Sequence, residues 1–291
     1  MTRLLELESW LSTVLPGEHY EVTPASSDAS FRRYFRIRSG ERSWIVMDAP
    51  PEHENCAPFI RIAHIFAEAG VHVPKIYAQD LQQGFLLLSD LGDQTYLQVL
   101  TEETAERFYR AANDALIKIQ LASREDVLPA YDRVSLLREM RLFPEWYVAR
   151  HLQHELLPHQ SRIIDEALQL ILDQVMTQAT VYVHRDYHSR NLMCSDPNPG
   201  VLDFQDAVYG PITYDLVSLY KDAYIAWDET KILDWTIRYW ESAKAAGLPV
   251  GEDFGAFYRD FEWMGVQRHL KVLGIFARLC YRDGKRGYLQ D

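Results

Sequence analysis

The sequence predicts an α+β fold in two lobes, a small β-rich lobe over residues 1–92 and a larger helical lobe over residues 93–291. Three observations carry this reading. Short alternating runs, separated by Gly, Pro and Ser turns, crowd residues 20–91. Helical periodicity takes over after "DLGDQTYL". Short apolar strands at 181–184, 191–194 and 200–204 then interrupt the helices. Two unlike lobes joined by a linker suggest an enzyme with its cleft between them.

Taken in order, residues 3–15 place Leu and Trp on a helical period and stop at Pro16-Gly17. "YEVTP" and "FRRYFRIRS" are two strands joined by the polar turn "ASSDAS", and Ser39-Gly40-Glu41 turns the chain into the strand "SWIVMDA". Residues 57–69 carry Phe59, Ile60, Ile62, Ala63 and Phe66 at helical spacing, with Gly70 as C-cap. The strands "VPKIYAQD" and "GFLLLSDL" complete a β-β-β-α-β-β order. In the second lobe Thr101 is the expected N-cap of a helix whose first turn carries Glu102 and Glu103, where the helix dipole favours negative charge. Further helices are expected near 135–155, 159–177, 213–226, 229–246 and 253–281.

The 291 residues suffice for one large domain or two lobes, and 47% hydrophobic with 25% charged residues is an ordinary globular composition. A net charge of −12 argues against nucleic acid or an anionic membrane as partner, since both need a basic surface. Cys56, Cys194 and Cys280 are far apart and lack C-x-x-C spacing, so free thiols in a reducing compartment are expected. The N-terminus lacks the apolar core of a signal peptide, and no run approaches the ~18 apolar residues of a membrane helix. The expected location is cytoplasmic.

The chemistry concentrates in "HRDYHSRNLM", His184 to Met193. Two readings compete. On a strand, His184, Asp186 and His188 share one face and can bind a metal. In a loop, H-R-D-x-x-x-x-N is the spacing of a phosphoryl-transfer loop, with Asp186 as the catalytic base and Asn191 as a metal ligand. Twelve residues beyond Asn191, "VLDFQDA" places Asp203 where a second metal carboxylate stands. Hard oxygen donors such as Asn and Asp suit Mg²⁺, and a carboxylate beside the attacking hydroxyl accepts its proton. The hydrolase reading leaves Asn191 and Asp203 unexplained and finds no further His cluster. Asp215 follows Asp203 after only twelve residues, which leaves no room for a peptide-binding segment. A small molecule is therefore the expected acceptor.

The set H-x-D-x-H-x-x-N (His184 to Asn191), L-D-F (Leu202 to Phe204) and G-P-x-x-Y-D-L (Gly210 to Leu216) resembles the aminoglycoside phosphotransferase and choline kinase family. The resemblance implies a two-lobed protein-kinase-like fold, a nucleotide-binding first lobe, ATP and Mg²⁺, Asp186 as base, and Asn191 and Asp203 on the metal. His188 and Asp215 would buttress the loop. More narrowly, "SSDASFRRYFR" with "VMDAPPEHEN" is similar to members acting on the 1-hydroxyl of N-acetylmuramate and N-acetylglucosamine in peptidoglycan recycling. Other expected acceptors are an aminoglycoside, choline or another sugar, and a non-catalytic binding module is the reading from outside the class.

The family's usual lysine on the ATP phosphates is missing, its strand position being Met47. The following helix has Arg61 mid-way and its first Glu only at Glu68. A glycine-rich loop is likewise replaced, by Ser27, Asp28, Ala29 and Ser30. Arg32 and Arg33 are the nearest cations, and alternation aims only one of them inward. Ser89, Asp90 and Leu91 are the expected adenine-contacting stretch. Arg138, Arg141 and Arg150 are candidates for the lactyl carboxylate of N-acetylmuramate, and sugars can stack on the helical lobe's aromatics (Trp146, Tyr147, Tyr209, Tyr220, Tyr224, Trp227, Trp235, Tyr239, Trp240, Trp263), most of which are expected in the core.

Overall fold

In a computed structural model, which describes residues 3–27 and 31–290, the chain divides into two compact units. The first comprises residues 1–94 and 193–205, and the second 95–192 and 206–291. The segment 193–205 thus groups with the β-rich unit, although the sequence reading counted it in the helical lobe.

The first unit is a five-stranded antiparallel sheet in the order β1-β2-β3-β5-β4, built from β1 (Glu21–Ser27), β2 (Arg33–Ser39), β3 (Arg42–Asp48), β4 (Ile76–Asp80) and β5 (Phe85–Ser89). Helix α1 (Arg3–Val14) covers one face through Leu7, Trp10 and Leu11, which pack on Ile37, Val46, Phe85 and Leu87. Strict alternation makes this face possible, because those strand residues all point the same way. Each such side chain contributes roughly 1.5–3 kcal/mol on burial. Met47, on the opposite side of β3 from Val46, is fully buried. Helix α2 (Ala57–Glu68) buries Phe59, Ile62, Ala63 and Phe66.

The second unit contains α3 (Tyr96–Val99), α4 (Ala105–Leu121), α5 (Arg133–Met140), α6 (Pro158–Val175), α7 (Tyr214–Tyr220), α8 (Glu229–Ala245) and α9 (Phe254–Tyr281). The order is the expected one, with α3 added and α7 ending at Tyr220 rather than near residue 226. Helix α4 begins at Ala105, because the Thr101 carbonyl accepts from the Thr104 and Ala105 amides and forms a turn first. Residues Phe143–His151 form a π-helix with Pro144 in its first turn. Gly274 of α9 meets that turn, and a Cβ there would lie 2.4 Å from the Leu142 carbonyl carbon.

Strand β6 (Thr180–Val183) pairs antiparallel with β9 (Val208–Pro211) in the register Val183↔Val208. Between them in sequence, β7 (Leu192–Met193) and β8 (Gly200–Val201) pair with each other. None of the three cysteines is in a disulfide. Among the described residues no helix is long and apolar enough to cross a membrane.

Candidate active site

From the end of β6 the chain leaves the ribbon as a loop, so His184, Asp186 and His188 do not alternate on a strand. Among the described residues no group of three His, Cys, Asp or Glu side chains is placed to hold a metal. The strand face on which those three residues could share a metal is therefore not formed.

The loop is tied down at nearly every residue. Asp215, in the first turn of α7 and fully buried, accepts the His184 amide at 2.6 Å and the Arg185 amide at 3.0 Å. Burial pushes its carboxyl up to about 7, helped by the nearby Asp186 and opposed by the two amides and Arg268. The Asp186 amide donates to His184 Nδ1 at 3.3 Å, and its carbonyl accepts the Asn191 side-chain amide at 2.9 Å. Tyr187 is fully buried and its hydroxyl donates to the Ala112 carbonyl of α4. Asp222 accepts the Ser189 amide at 2.9 Å and the Tyr224 amide at 3.1 Å.

Arg185 adopts φ +79°, a left-handed conformation costing an L-residue about 1–2 kcal/mol. Its surroundings over-determine it. The guanidinium pairs with Glu139 of α5 and lies 5.3 Å from the centre of the Tyr131 ring. Glu139 also accepts the Tyr131 hydroxyl and lies 3.5 Å from Lys271 of α9, whose ammonium donates to the Tyr214 hydroxyl at 2.8 Å. Glu139, Lys271, Tyr131 and Tyr214 are all buried. Arg268, one turn earlier on α9, is buried too, with Nε on the Ser218 hydroxyl and one terminal nitrogen without a hydrogen-bond partner.

These cations set the character of Asp186. Burial raises a carboxyl, but Lys271, followed by His188, Arg268 and Arg185, outweighs it and holds Asp186 down at about 2. His188 also acts on Asp186, and burial lowers its own pKa against the pull of Asp222 and Asp186. Its Nε2 lies 3.5 Å from the Asn191 amide nitrogen, and its buried Nδ1 has no hydrogen-bond partner.

In the first unit, Asp203 also takes a left-handed backbone, φ +61°, and its carboxylate accepts from the Gln205 side chain at 2.8 Å. The neighbouring Phe204 is fully buried and packs at 4.8 Å on Phe59 and 5.9 Å on Phe66 of α2. That aromatic anchor, with the Val201 amide on the His72 carbonyl, fixes the L-D-F segment to this unit.

The expected nucleotide residues are placed as follows. Ser27 ends β1, while Asp28, Ala29 and Ser30 lie outside the described residues. Arg33 is hydrogen-bonded to Asp48, which also binds Arg3, on the sheet face that carries Phe35 and Ile37 toward α1. Arg32 lies 3.8 Å from Glu54. Ser89 exchanges hydrogen bonds with Lys75 through its amide and hydroxyl. Asp90 receives Arg36 at 2.7 and 3.1 Å, together with Ser43 and the Gly92 amide, and Leu91 is buried. Met47 carries no charge, and Lys75 is the first unit's sole lysine, its ammonium 5.3 Å from the Tyr77 ring centre.

Sequence reasoning missed Glu139, Lys271, Arg268, Asp222 and Arg36. Only the charges at 268 and 271 within the apolar pattern of α9 gave a signal, since buried charges there require partners.

A braced H-R-D-x-x-x-x-N loop, followed by a strained aspartate on a buried L-D-F anchor, defines a phosphotransferase of the kinase-like class. The family model described as "Phosphotransferase enzyme family" matches residues 21–250, and the chain belongs to that family. Over 303 aligned residues the chain is 54% identical to the N-acetylmuramate/N-acetylglucosamine kinase of Pseudomonas aeruginosa, covering 99% of this chain and 88% of that protein. The protein of that name from Neisseria meningitidis is 51% identical over 99% of this chain and 87% of its own length. Among solved structures, the Plasmodium vivax ethanolamine kinase aligns with a TM-score of 0.70 at 9% identity, over 99% of this chain and 85% of that one. Choline kinase from Cryptosporidium parvum aligns with a TM-score of 0.66 at 13% identity, over 99% and 94%. At such identities the likeness is one of fold: the two-lobed kinase-like α+β fold.

Proposed function

We propose that this chain transfers the γ-phosphoryl group of ATP to the anomeric hydroxyl of N-acetylmuramate and N-acetylglucosamine. The observation that carries the reading is the identity of 51–54% over nearly the whole chain with kinases of that name. In the reaction the sugar's 1-oxygen forms a bond to the γ-phosphorus as the bond to the ADP oxygen breaks, and the hydroxyl proton passes to the Asp186 carboxylate. Asp186 accepts the hydroxyl's hydrogen bond and orients its oxygen. A carboxylate held near 2 is a weak base, which suits this acceptor. The ring oxygen makes an anomeric hydroxyl more acidic than an ordinary alcohol, and a loose transition state asks little of the base.

Asn191 and Asp203 are the Mg²⁺ ligands. The donor set fits this ion. The Asn191 amide nitrogen is fixed on the Asp186 carbonyl, which orients the amide, and Asp203 supplies carboxylate oxygen. An amide oxygen and a carboxylate are hard donors of the kind taken by an ion that keeps water and substrate phosphate among its ligands. When bound, Mg²⁺ neutralises charge on the phosphate oxygens. Arg33 lies with Asp48 on the sheet face toward α1, so Arg32, 3.8 Å from Glu54, is the candidate for the ATP phosphates in place of the missing lysine.

The test is ADP release in a coupled assay with a panel of acceptors. Both free amino sugars support turnover, and their 1-O-methyl glycosides, with the nucleophile blocked, do not. Turnover of the glycosides refutes the anomeric assignment, and turnover only with an aminoglycoside or amino alcohol refutes the substrate class.

A further inference from the structure

Next to the loop, the second unit carries rings that its core does not absorb. Tyr224 follows α7, Phe276 lies on α9, and Tyr288 belongs to the C-terminal 3₁₀ turn Arg286–Leu289. Their ring centres stand in series at 6.0 and 5.2 Å, and all three residues are only half-buried. Tyrosines that serve the core of this unit, such as Tyr187, Tyr214, Tyr220 and Tyr239, are fully buried. Tyr224 is coupled to the catalytic loop twice. Its ring meets that of His188 edge-on at 5.4 Å, and its amide shares the Asp222 carboxylate with the Ser189 amide. The Arg190 guanidinium lies against Tyr224, 3.5 Å from the ring centre.

A pyranose offers an apolar C–H face and a polar rim. Half-exposed aromatic rings suit the first, and the orphaned Nδ1 of His188 gives the rim a polar atom whose partner the protein does not supply. N-acetylmuramate differs from N-acetylglucosamine by a lactyl ether that ends in a carboxylate. A guanidinium that rests on an aromatic ring can still meet a carboxylate through two parallel hydrogen bonds. Arg138, Arg141, Arg150 and Arg190 are all exposed, with Arg141 facing Asp165 at 3.7 Å and Arg190 lying against the Tyr224 ring.

We propose that Tyr224, Phe276 and Tyr288 form the shelf on which the acceptor sugar rests, and that Arg190 receives the lactyl carboxylate and sets the preference between the acidic and the neutral sugar. This deepens the function proposed above and rests on it. The test compares kcat/KM for the two sugars in wild type, Arg190→Gln, Arg190→Lys and Tyr288→Ala. Arg190→Gln lowers the N-acetylmuramate to N-acetylglucosamine ratio roughly ten- to a hundredfold, the range of one charged hydrogen bond, and Arg190→Lys falls between. Tyr288→Ala raises KM for both sugars together. Dissociation constants of the two 1-O-methyl glycosides give the same comparison without turnover. A wild type active on both sugars whose ratio is unmoved by Arg190→Gln overturns the inference alone, and a wild type active on neither removes the proposed function with it.

Discussion

At Asp186 two forces oppose each other. Burial favours the neutral acid, and the surrounding cations, Lys271 first, favour the carboxylate and prevail. The residue is therefore an ionised acceptor across the working pH range. Asp186→Asn keeps the size and loses the charge, so kcat falls about 10²–10⁴-fold while ATP affinity stays near wild type. Near-normal turnover in a steady-state assay contradicts the role. Asp215 is the opposite case, with burial holding its carboxyl up at about 7 against an ordinary unfolded value of 3.8. The folded state then binds the extra proton between those values. Its contribution to stability is present at low pH and is lost as pH rises from about 4 toward about 7. Urea unfolding at pH 4.5 and 7.5 reads this slope, and Asp215→Asn removes that component while weakening the loop, since an amide has one acceptor oxygen for two N–H donors. An unchanged pH dependence in the variant refutes the assignment.

Elements with turn punctuation and a strong period were legible from sequence. The β-β-β-α-β-β order follows from residue pattern alone and α6, α8 and α9 lie within one or two residues of it, whereas β1 runs on to Ser27 and β4 starts only at Ile76. Strand β9 was not, because Gly210 and Pro211 weaken any strand reading, and only its pairing with β6 makes it one. The π-helix at Phe143–His151 likewise depends on tertiary packing. Gly274 is the clearest trace of that packing. Gly274→Ala forces a methyl into the Leu142 backbone and should cost about 1–3 kcal/mol, lowering the thermal midpoint by several degrees. An unchanged midpoint shows that α9 does not approach so closely.

Over the whole molecule, the motifs reported the chemistry and the supporting charges stayed hidden. Asp186, Asn191 and Asp203 stand in spacings that a phosphoryl-transfer reaction demands, whereas Glu139, Lys271 and Arg268 are brought to the loop from 47 residues upstream and more than 80 downstream. No local pattern links such positions. The same holds in the first unit, where Asp48 gathers Arg3 and Arg33, and Asp90 gathers Arg36, so that most basic side chains are paired within the acidic chain. The position of the transferred phosphate tests the central claim most directly. Phosphorus-31 NMR of the product from ATP and N-acetylglucosamine should show a sugar phosphate whose phosphorus couples to the anomeric proton. A phosphorus coupled to any other sugar proton, or inorganic phosphate alone, contradicts the account.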